Sequence, residues 1–160
     1  MERIDAGAVR FETLKEAHIP RILEIESASN SAPWSDRSFR NEATNPQSIF
    51  LVAFADEQIV GFGGLWLCVD EAHITTLSVA PEYRRRGLGR VIMFELLRRG
   101  QERGMTCSTL EVRAGNTPAI ELYKSLGYVD TARRRGYYPD NREDAIVMWM
   151  HNLQDWKPSA

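Results

Sequence analysis

Apolar and polar residues alternate along "AVRFETL" (residues 8–14), a period of two that predicts an opening strand. The rhythm changes in "IPRILEIESA" (19–28), where Ile19, Ile22, Leu23 and Glu26 recur at helical spacing. Pro20 is tolerated there because it falls in the first turn. "SAPWSDRSFRNEA" reads as a loop and then a second helix with Ser35 as its N-cap. "SIFLVAFADEQIVGFGGLWLCVD" reads as two strands joined at Asp56–Glu57, and "AHITTLSVA" as a further strand ending at Pro81. From Leu88 to about Glu102 the helical period returns, with Ile92, Met93, Leu96 and Leu97 as its apolar stripe and Glu95–Arg99 as a supporting pair. "TCSTLEVRA" is another strand. "NTPAIELYKSLGY" is a short helix with Thr117 as N-cap, Pro118 at the first helical position and Gly127 as its stop. "YVDTARR" and "DAIVMWM" are two last strands around the loop "RRGYYPDNRE".

Strands and helices thus mix without strict alternation, hairpins in the first half and two strand–helix units in the second. The fold class is α/β in the mixed α+β sense, a mixed sheet with helices on its faces. The 160 residues suit a single domain, placed at residues 1–151, and the tail at 152–160 is expected to be loosely held.

Composition narrows the function. No apolar run approaches the roughly 20 residues of a membrane span, and the start "MERIDAGAVRFETL" has no signal-peptide core, so a cytoplasmic protein is expected. Cys68 and Cys107 lie in different strands without C-x-x-C spacing, which predicts buried, reduced thiols. His18, His73 and His151 are scattered, and no metal site is expected. Net charge is −2, yet 17 of the 20 basic residues are arginine and seven of these fall between Arg84 and Arg103. An acidic chain argues against a general nucleic-acid binder, so no direct nucleic-acid binding is expected. The anion implied by "RRRGLGR" (84–90) is local and small.

That stretch lies between a strand and an amphipathic helix, a layout for holding an anion at a helix N-terminus. Glycines allow a tight turn and converging N–H groups, and the helix adds about half a positive charge. No Gly-Lys-Ser/Thr follows, and Ile92 stands where a dinucleotide loop has its third glycine. A solvated helix start with a basic patch is the plainer alternative.

Glu111 is the odd residue of "STLEVR", pointing to the opposite face from Leu110 and Val112. A carboxylate in mid-strand requires a partner or a task, so it is either paired with Arg113 or a working group. Tyr123, on the helix after it, reads as a core residue, and Asn116 as turn chemistry.

"LSVAPEYRRRGLGRVIM" resembles the central motif of the GCN5-related N-acetyltransferases, Gln/Arg-x-x-Gly-x-Gly/Ala after a strand, with Arg84, Gly87 and Gly89 matching. The resemblance continues in "LEVRAGNTPAIELYKSLGY", where Asn-x-x-Ala-x-x-Leu-Tyr runs from Asn116 to Tyr123. With "PWS" and "RRGYYPDNREDAIVM" the chain looks like the RimI-type acetyltransferases, which modify the N-terminal alanine of a small-subunit ribosomal protein. The likeness extends from about residue 8 to 151. It implies a central, mostly antiparallel sheet with helices on both faces and a splayed strand pair holding acetyl-CoA, with no metal. The amides of Arg85, Arg86, Gly87, Leu88, Gly89 and Arg90, with Arg84 at the motif position, would cradle the pyrophosphate. Leu77, Ser78 and Val79 would run beside the pantetheine, and Asn116 and Tyr123 would contact the cofactor. Glu111 would be the general base and Tyr123 the general acid in direct attack, with the oxyanion donor an N–H near Val79.

The acceptor can be weighed physically. A free α-amine has a pKa near 7.7–8.0 and lysine about 10.4, so presenting a neutral amine at pH 7 costs roughly 3–4 kcal/mol less for a chain terminus. The expected partner is therefore a protein N-terminus, of a ribosomal protein by the resemblance. A lysine, polyamine or aminoglycoside acceptor is the alternative, and a binding module without turnover the distant one. Acceptor specificity is assigned to Trp34, Tyr137 and Tyr138 over ordinary packing, with Glu143 and Asp144 as candidates to attract a basic substrate tail, for which packing or a solvated loop is the plainer reading.

Overall fold

A computed structural model of the chain describes residues 2–158. Seven strands form one sheet: β1 (Arg10–Thr13), β2 (Ser48–Ala55), β3 (Gln58–Cys68), β4 (Glu71–Val79), β5 (Cys107–Arg113), β6 (Val129–Arg134) and β7 (Ala145–Met150). Their order across the sheet is β1-β2-β3-β4-β5-β7-β6, and β4–β5 is the parallel pair in a sheet otherwise antiparallel. The helices are α1 (Ile19–Ser29), α2 (Asp36–Ala43), α3 (Leu88–Glu102) and α4 (Thr117–Leu126). The parallel pair is joined by α3, the crossover that such pairing requires.

The unbroken apolar run "IFLVAF" in β2 is explained by burial of both its faces. Phe50, Val52 and Phe54 join Ile22 and Ile25 of α1 and Phe39 of α2 in one core. Leu51 and Ala53 point the other way, into the core that α3 and α4 cover. On α3 the stripe Ile92, Met93, Leu96 and Leu97 is fully buried, each side chain contributing about 1.5–3 kcal/mol. Helices on both faces of a mostly antiparallel sheet are the architecture expected from the pattern and the resemblance together.

The β2–β3 hairpin turns at Asp56 and Glu57, with φ of 48° and 68°. Two left-handed residues give the mirror-image turn whose twist matches the strands. Ser35 caps α2 as expected, its hydroxyl accepting from the Ser38 N–H at 3.2 Å.

Three expectations need correction. Asn116, and not Thr117, is the N-cap of α4: its side chain accepts from the Ala119 N–H at 3.3 Å, and Pro118 moves to the second helical position. Cys68 is exposed and Cys107 half-buried, because both sit where their strands leave the core. The tail is held as far as Trp156. Leu153 is fully buried, the Trp156 indole donates to the Leu126 carbonyl at 2.8 Å, and the Gln101 amide bonds the carbonyls of Leu153 and Trp156. Residues 159 and 160 lie outside the described residues.

Candidate active site

The parallel strands β4 and β5 stay together for three pairs, Glu71↔Cys107, Ala72↔Ser108 and His73↔Thr109, and then part. The cause lies on the other side of β4. Its register with β3 skips from Leu65↔Ile74 to Gly64↔Thr76, leaving Thr75 as the extra residue of a bulge. A bulge bends its strand and strengthens the local twist, which carries β4 away from β5. The Thr75 hydroxyl is the one buried side-chain polar atom without a hydrogen-bond partner among the described residues. Between the parted strands opens a cleft of about 360 Å³, walled by Thr75–Ser78 on one side and by Leu110–Arg113, Asn116 and Tyr123 on the other. Leu77 and Ser78 thus line it, and Val79 ends the same unpaired edge.

At the end of that edge the chain turns through "RRRGLG" into α3. Arg85 and Gly87 are left-handed, with φ of 62° and 82°. The Arg84 N–H donates to Pro81 and the Val91 N–H to Gly87, while the amides of residues 85–90 have no acceptor among the described residues. Six donors without acceptors around the start of a 15-residue helix suit an anion. The arginine side chains divide their work differently from a simple cluster. Arg84 is turned back, its Nε donating to the Val79 carbonyl at 3.2 Å and its terminal nitrogen to Ser29 Oγ at 2.9 Å, so it ties the end of β4 to α1. Arg86 donates to the Glu2 carbonyl and Arg90 to Ser125 Oγ. Arg85, exposed like Arg84, is the guanidinium of the group without a side-chain hydrogen bond among the described residues. Gly89 faces Leu122, where an added Cβ would stand 3.3 Å away, so it sets the contact of α3 with α4.

Glu111 lies where β5 leaves β4. Its partner is His73, Nε2 to Oε2 at 2.7 Å, and not Arg113, which binds Asp140 and Glu143. The hydrogen bond from His73 holds the Glu111 carboxyl below the usual carboxylate range against the opposing effect of burial, with help from Arg134. Tyr123 lines the cleft from α4, and burial pushes its phenol up to about 12, so it stays protonated and remains a donor. Its ring meets Tyr128 edge-on at 5.9 Å. The Asn116 side chain is engaged as a cap, yet the residue lines the cleft.

Two loops close the cleft on the opposite side from α3. Trp34 is held by Glu26, a buried carboxylate at the end of α1 that accepts the Trp34 N–H at 2.9 Å. Tyr137 and Tyr138 stand edge to face at 5.1 Å, with Arg113 stacked over Tyr138 at 4.0 Å. The same guanidinium grips Asp140, to which Ser31 Oγ donates at 2.6 Å, so the loop after α1 and the loop after β6 are laced together. The acids proposed to attract a basic tail are already engaged. Glu143 binds Arg113 and the Gly115 N–H, and Asp144 binds Arg133 and the Gly136 N–H. A second cleft, of about 280 Å³, is lined by Trp66, His73 and Tyr137 and shares Trp34, Thr75, Glu111 and Tyr138 with the first.

Residues 19–128 match the family model described as acetyltransferase (GNAT) family. The chain belongs to that family. The ribosomal protein bS18-alanine N-acetyltransferase of Escherichia coli (strain K12) is 37% identical to this GNAT over 147 residues, 86% of this chain and 94% of that protein. The solved structure of the ribosomal-protein-S18-alanine N-acetyltransferase from Escherichia coli matches with a TM-score of 0.83 at 32% identity, covering 90% of this chain and 94% of that one. Ard1 from Thermoplasma volcanium matches with a TM-score of 0.83 at 27% identity, covering 90% of this chain and 97% of that one. The chain is an N-acetyltransferase of the RimI type, and GNAT enzymes draw their acetyl group from acetyl-CoA.

The GNAT site also contains residues that the sequence pattern did not single out: His73, Thr75 and Glu26. His73 and Glu111 are 38 positions apart and meet through the parallel register alone. One signal was available, since both occupy the same phase of neighbouring strands. Among the described residues no group of three or more His, Cys, Asp or Glu is placed to hold a metal, and no helix is long and apolar enough to cross a membrane.

Proposed function

We propose that this N-acetyltransferase moves the acetyl group of acetyl-CoA to the N-terminal α-amine of a protein, its acceptor being the N-terminal alanine of ribosomal protein bS18. One observation carries the reading: Glu111 stands where the split between β4 and β5 meets the aromatic cleft of Trp34, Tyr137 and Tyr138. The names of the Escherichia coli relatives supply the acceptor. A ribosomal acceptor places the reaction in the cytoplasm, and the reading needs neither nucleic acid nor membrane.

Acetyl-CoA fits the donor side on two counts. The amides of residues 85–90, beside Arg85 and Arg86, match a pyrophosphate. The unpaired edge of β4 at Leu77–Val79 offers backbone groups to an amide-bearing arm, as a neighbouring strand would. Bound there, acetyl-CoA supplies the activated acyl group. The chain's own residues do the rest. Glu111 drives removal of the proton from the acceptor ammonium, and an N–H near Val79 receives the developing oxyanion. Tyr123 donates to the departing sulfur, and Asn116 fixes the start of α4 beside it. Direct attack is favoured over an acetyl-cysteine. Cys107 stands at the paired end of β5, lines neither cleft, and has its thiol pushed up by burial.

The test is acetylation of a peptide beginning with alanine, beside an N-blocked lysine peptide and spermidine at fixed acetyl-CoA. The alanine peptide should saturate at low concentration and the other two should not. Glu111→Gln should lower kcat by about a hundredfold or more. If Glu111→Gln and Tyr123→Phe both keep full kcat, the roles given to these residues are wrong.

A further inference from the structure

His73 is the neighbour of Glu111 that acetyl transfer, as described above, leaves without work. Its Nε2 is on Glu111 Oε2 at 2.7 Å, and its ring meets the edge of Trp66 at 6.1 Å between centroids. The side chain is 28% exposed, and the structure gives Nδ1 no protein partner among the described residues. It lines the aromatic cleft with Trp66 and Tyr137. A carboxylate on one imidazole nitrogen fixes the tautomer, keeps the proton on Nε2, and leaves Nδ1 as a lone pair. The arrangement is a base held by its orienting acid, in a side chain that lines the acceptor's cleft.

We propose that Nδ1 of His73 is the atom that takes the proton from the acceptor ammonium, with Glu111 orienting the ring and stabilising the imidazolium. The inference rests on the acetyl-transfer reading and reassigns one of its steps. The ammonium N–H bond breaks and a proton bonds to Nδ1. The freed amine attacks the thioester carbonyl and the carbon–sulfur bond breaks. The sulfur takes a proton from Tyr123, and the phenol is restored by the second proton leaving the new amide nitrogen. His73 then gives its proton to solvent, so each cycle releases one.

Energetics favour this division over a lone carboxylate. An imidazole is as a class a stronger base than a carboxylate, and so the better match to an α-ammonium of pKa about 8. Transfer to an ordinary carboxylate of pKa about 4.3 is opposed by nearly four decades, and Glu111 lies below that range. The groups facing the pair are Arg134 from β6 and Tyr137 and Tyr138 from the loop after it. On the same sheet face stand Glu71 of β4 and Cys107 of β5.

The test is kcat/KM for an alanine-initiated peptide between pH 5.5 and 9.5, for the wild type and for His73→Gln, whose amide can still donate to Glu111 but cannot titrate. The wild type should show an acid limb in the imidazole range. His73→Gln should lose that limb and lie about 10- to 100-fold lower at pH 7.5, with acetyl-CoA affinity and melting temperature unchanged. Nuclear magnetic resonance of ring-labelled wild type should show His73 as the Nε2–H tautomer when neutral and titrating, which keeps the inference testable if the variant is unstable. An unchanged profile in a stable His73→Gln, or a ring with Nδ1–H or no titration, overturns it. A wild type that acetylates no alanine-initiated peptide overturns the acceptor reading and this step with it, whereas an active wild type with an unchanged variant overturns this step alone.

Discussion

Two glycines of β3 lie under α3, and adding one methyl to each should give different results. A Cβ at Gly63 would meet side-chain ends, Ile92 Cγ2 at 2.8 Å and Leu96 Cδ1 at 2.9 Å. A Cβ at Gly61 would meet the Ser78 backbone carbonyl at 2.7 Å, with Ile92 Cδ1 at 3.0 Å. Side-chain ends can turn aside, but a carbonyl within a paired strand moves only with the strand. Overpacking costs about 1–3 kcal/mol, and removing glycine's excess freedom in a strand returns roughly 0.5–1 kcal/mol. Gly63→Ala should therefore lose about 1 kcal/mol and Gly61→Ala about 2 kcal/mol. For a chain of this size that is a fall in Tm of about 2–4 °C and 4–8 °C respectively. Ser78 and Val79 carry the unpaired edge of β4, so Gly61→Ala should also raise the KM for acetyl-CoA severalfold, whereas Gly63→Ala should leave it near wild type. Circular-dichroism melts and donor-side steady-state kinetics measure both. A Gly61→Ala enzyme with wild-type Tm and KM, or a larger loss in Gly63→Ala, would refute the contact reasoning.

Val69 sits at the tip of the β3–β4 hairpin with φ of 61°, 97% exposed, a β-branched residue in a left-handed position. Val69→Asn should raise stability by about 1 kcal/mol with kcat unchanged, read by urea midpoint and assay. Gly87→Glu adds strain at φ of 82° and a negative charge beside the amides of residues 85–90, so acetyl-CoA affinity should fall at least tenfold by calorimetry. Arg113→Lys gives up the stacking on Tyr138 and the forked grip on Asp140, and should raise the peptide KM about tenfold while the acetyl-CoA KM stays put. Glu111 is held below its unfolded pKa, so its contribution is present above about pH 4.5 and lost as pH falls through the folded value. Glu111→Gln should accordingly show a shallower loss of stability in acid unfolding below that pH.

The elements were legible wherever one period dominated, as in the α3 stripe and the run "IFLVAF", since burial of a face is written residue by residue. The turn into α3 was legible because "RRRGLG" lies between a strand and a helix and every part of it is local. Arg84 shows the limit: its motif position was visible, but its turn back to Val79 and Ser29 depends on where α1 ends. The bulge at Thr75 was hidden in a β-branched run, "HITTLSV", in which each residue suits a strand equally. His73 was passed over as one of three scattered histidines because its partner is fixed by strand register. For Glu143 and Asp144 packing and attraction of a basic peptide could not be told apart in the sequence, because their partners Arg113 and Arg133 come from other elements.

The short parallel seam has a mechanical consequence. Three backbone pairs join the first four strands to the last three, reinforced by a buried link in which Ser108 bonds the Ala72 carbonyl and the Tyr128 hydroxyl. Beyond that link no backbone pairing joins the two parts of the sheet among the described residues, and whatever bonds to the edge at Leu77–Val79 would bridge them. Acetyl-CoA should then act as a clamp as well as a reagent. Amide exchange at those of residues 76–79 whose N–H faces the split and not β3 should be fast in the free enzyme and slow under saturating donor. The melting temperature should climb with donor concentration as mass action requires, so that heat resistance of this enzyme in a cell would follow the supply of its acetyl donor.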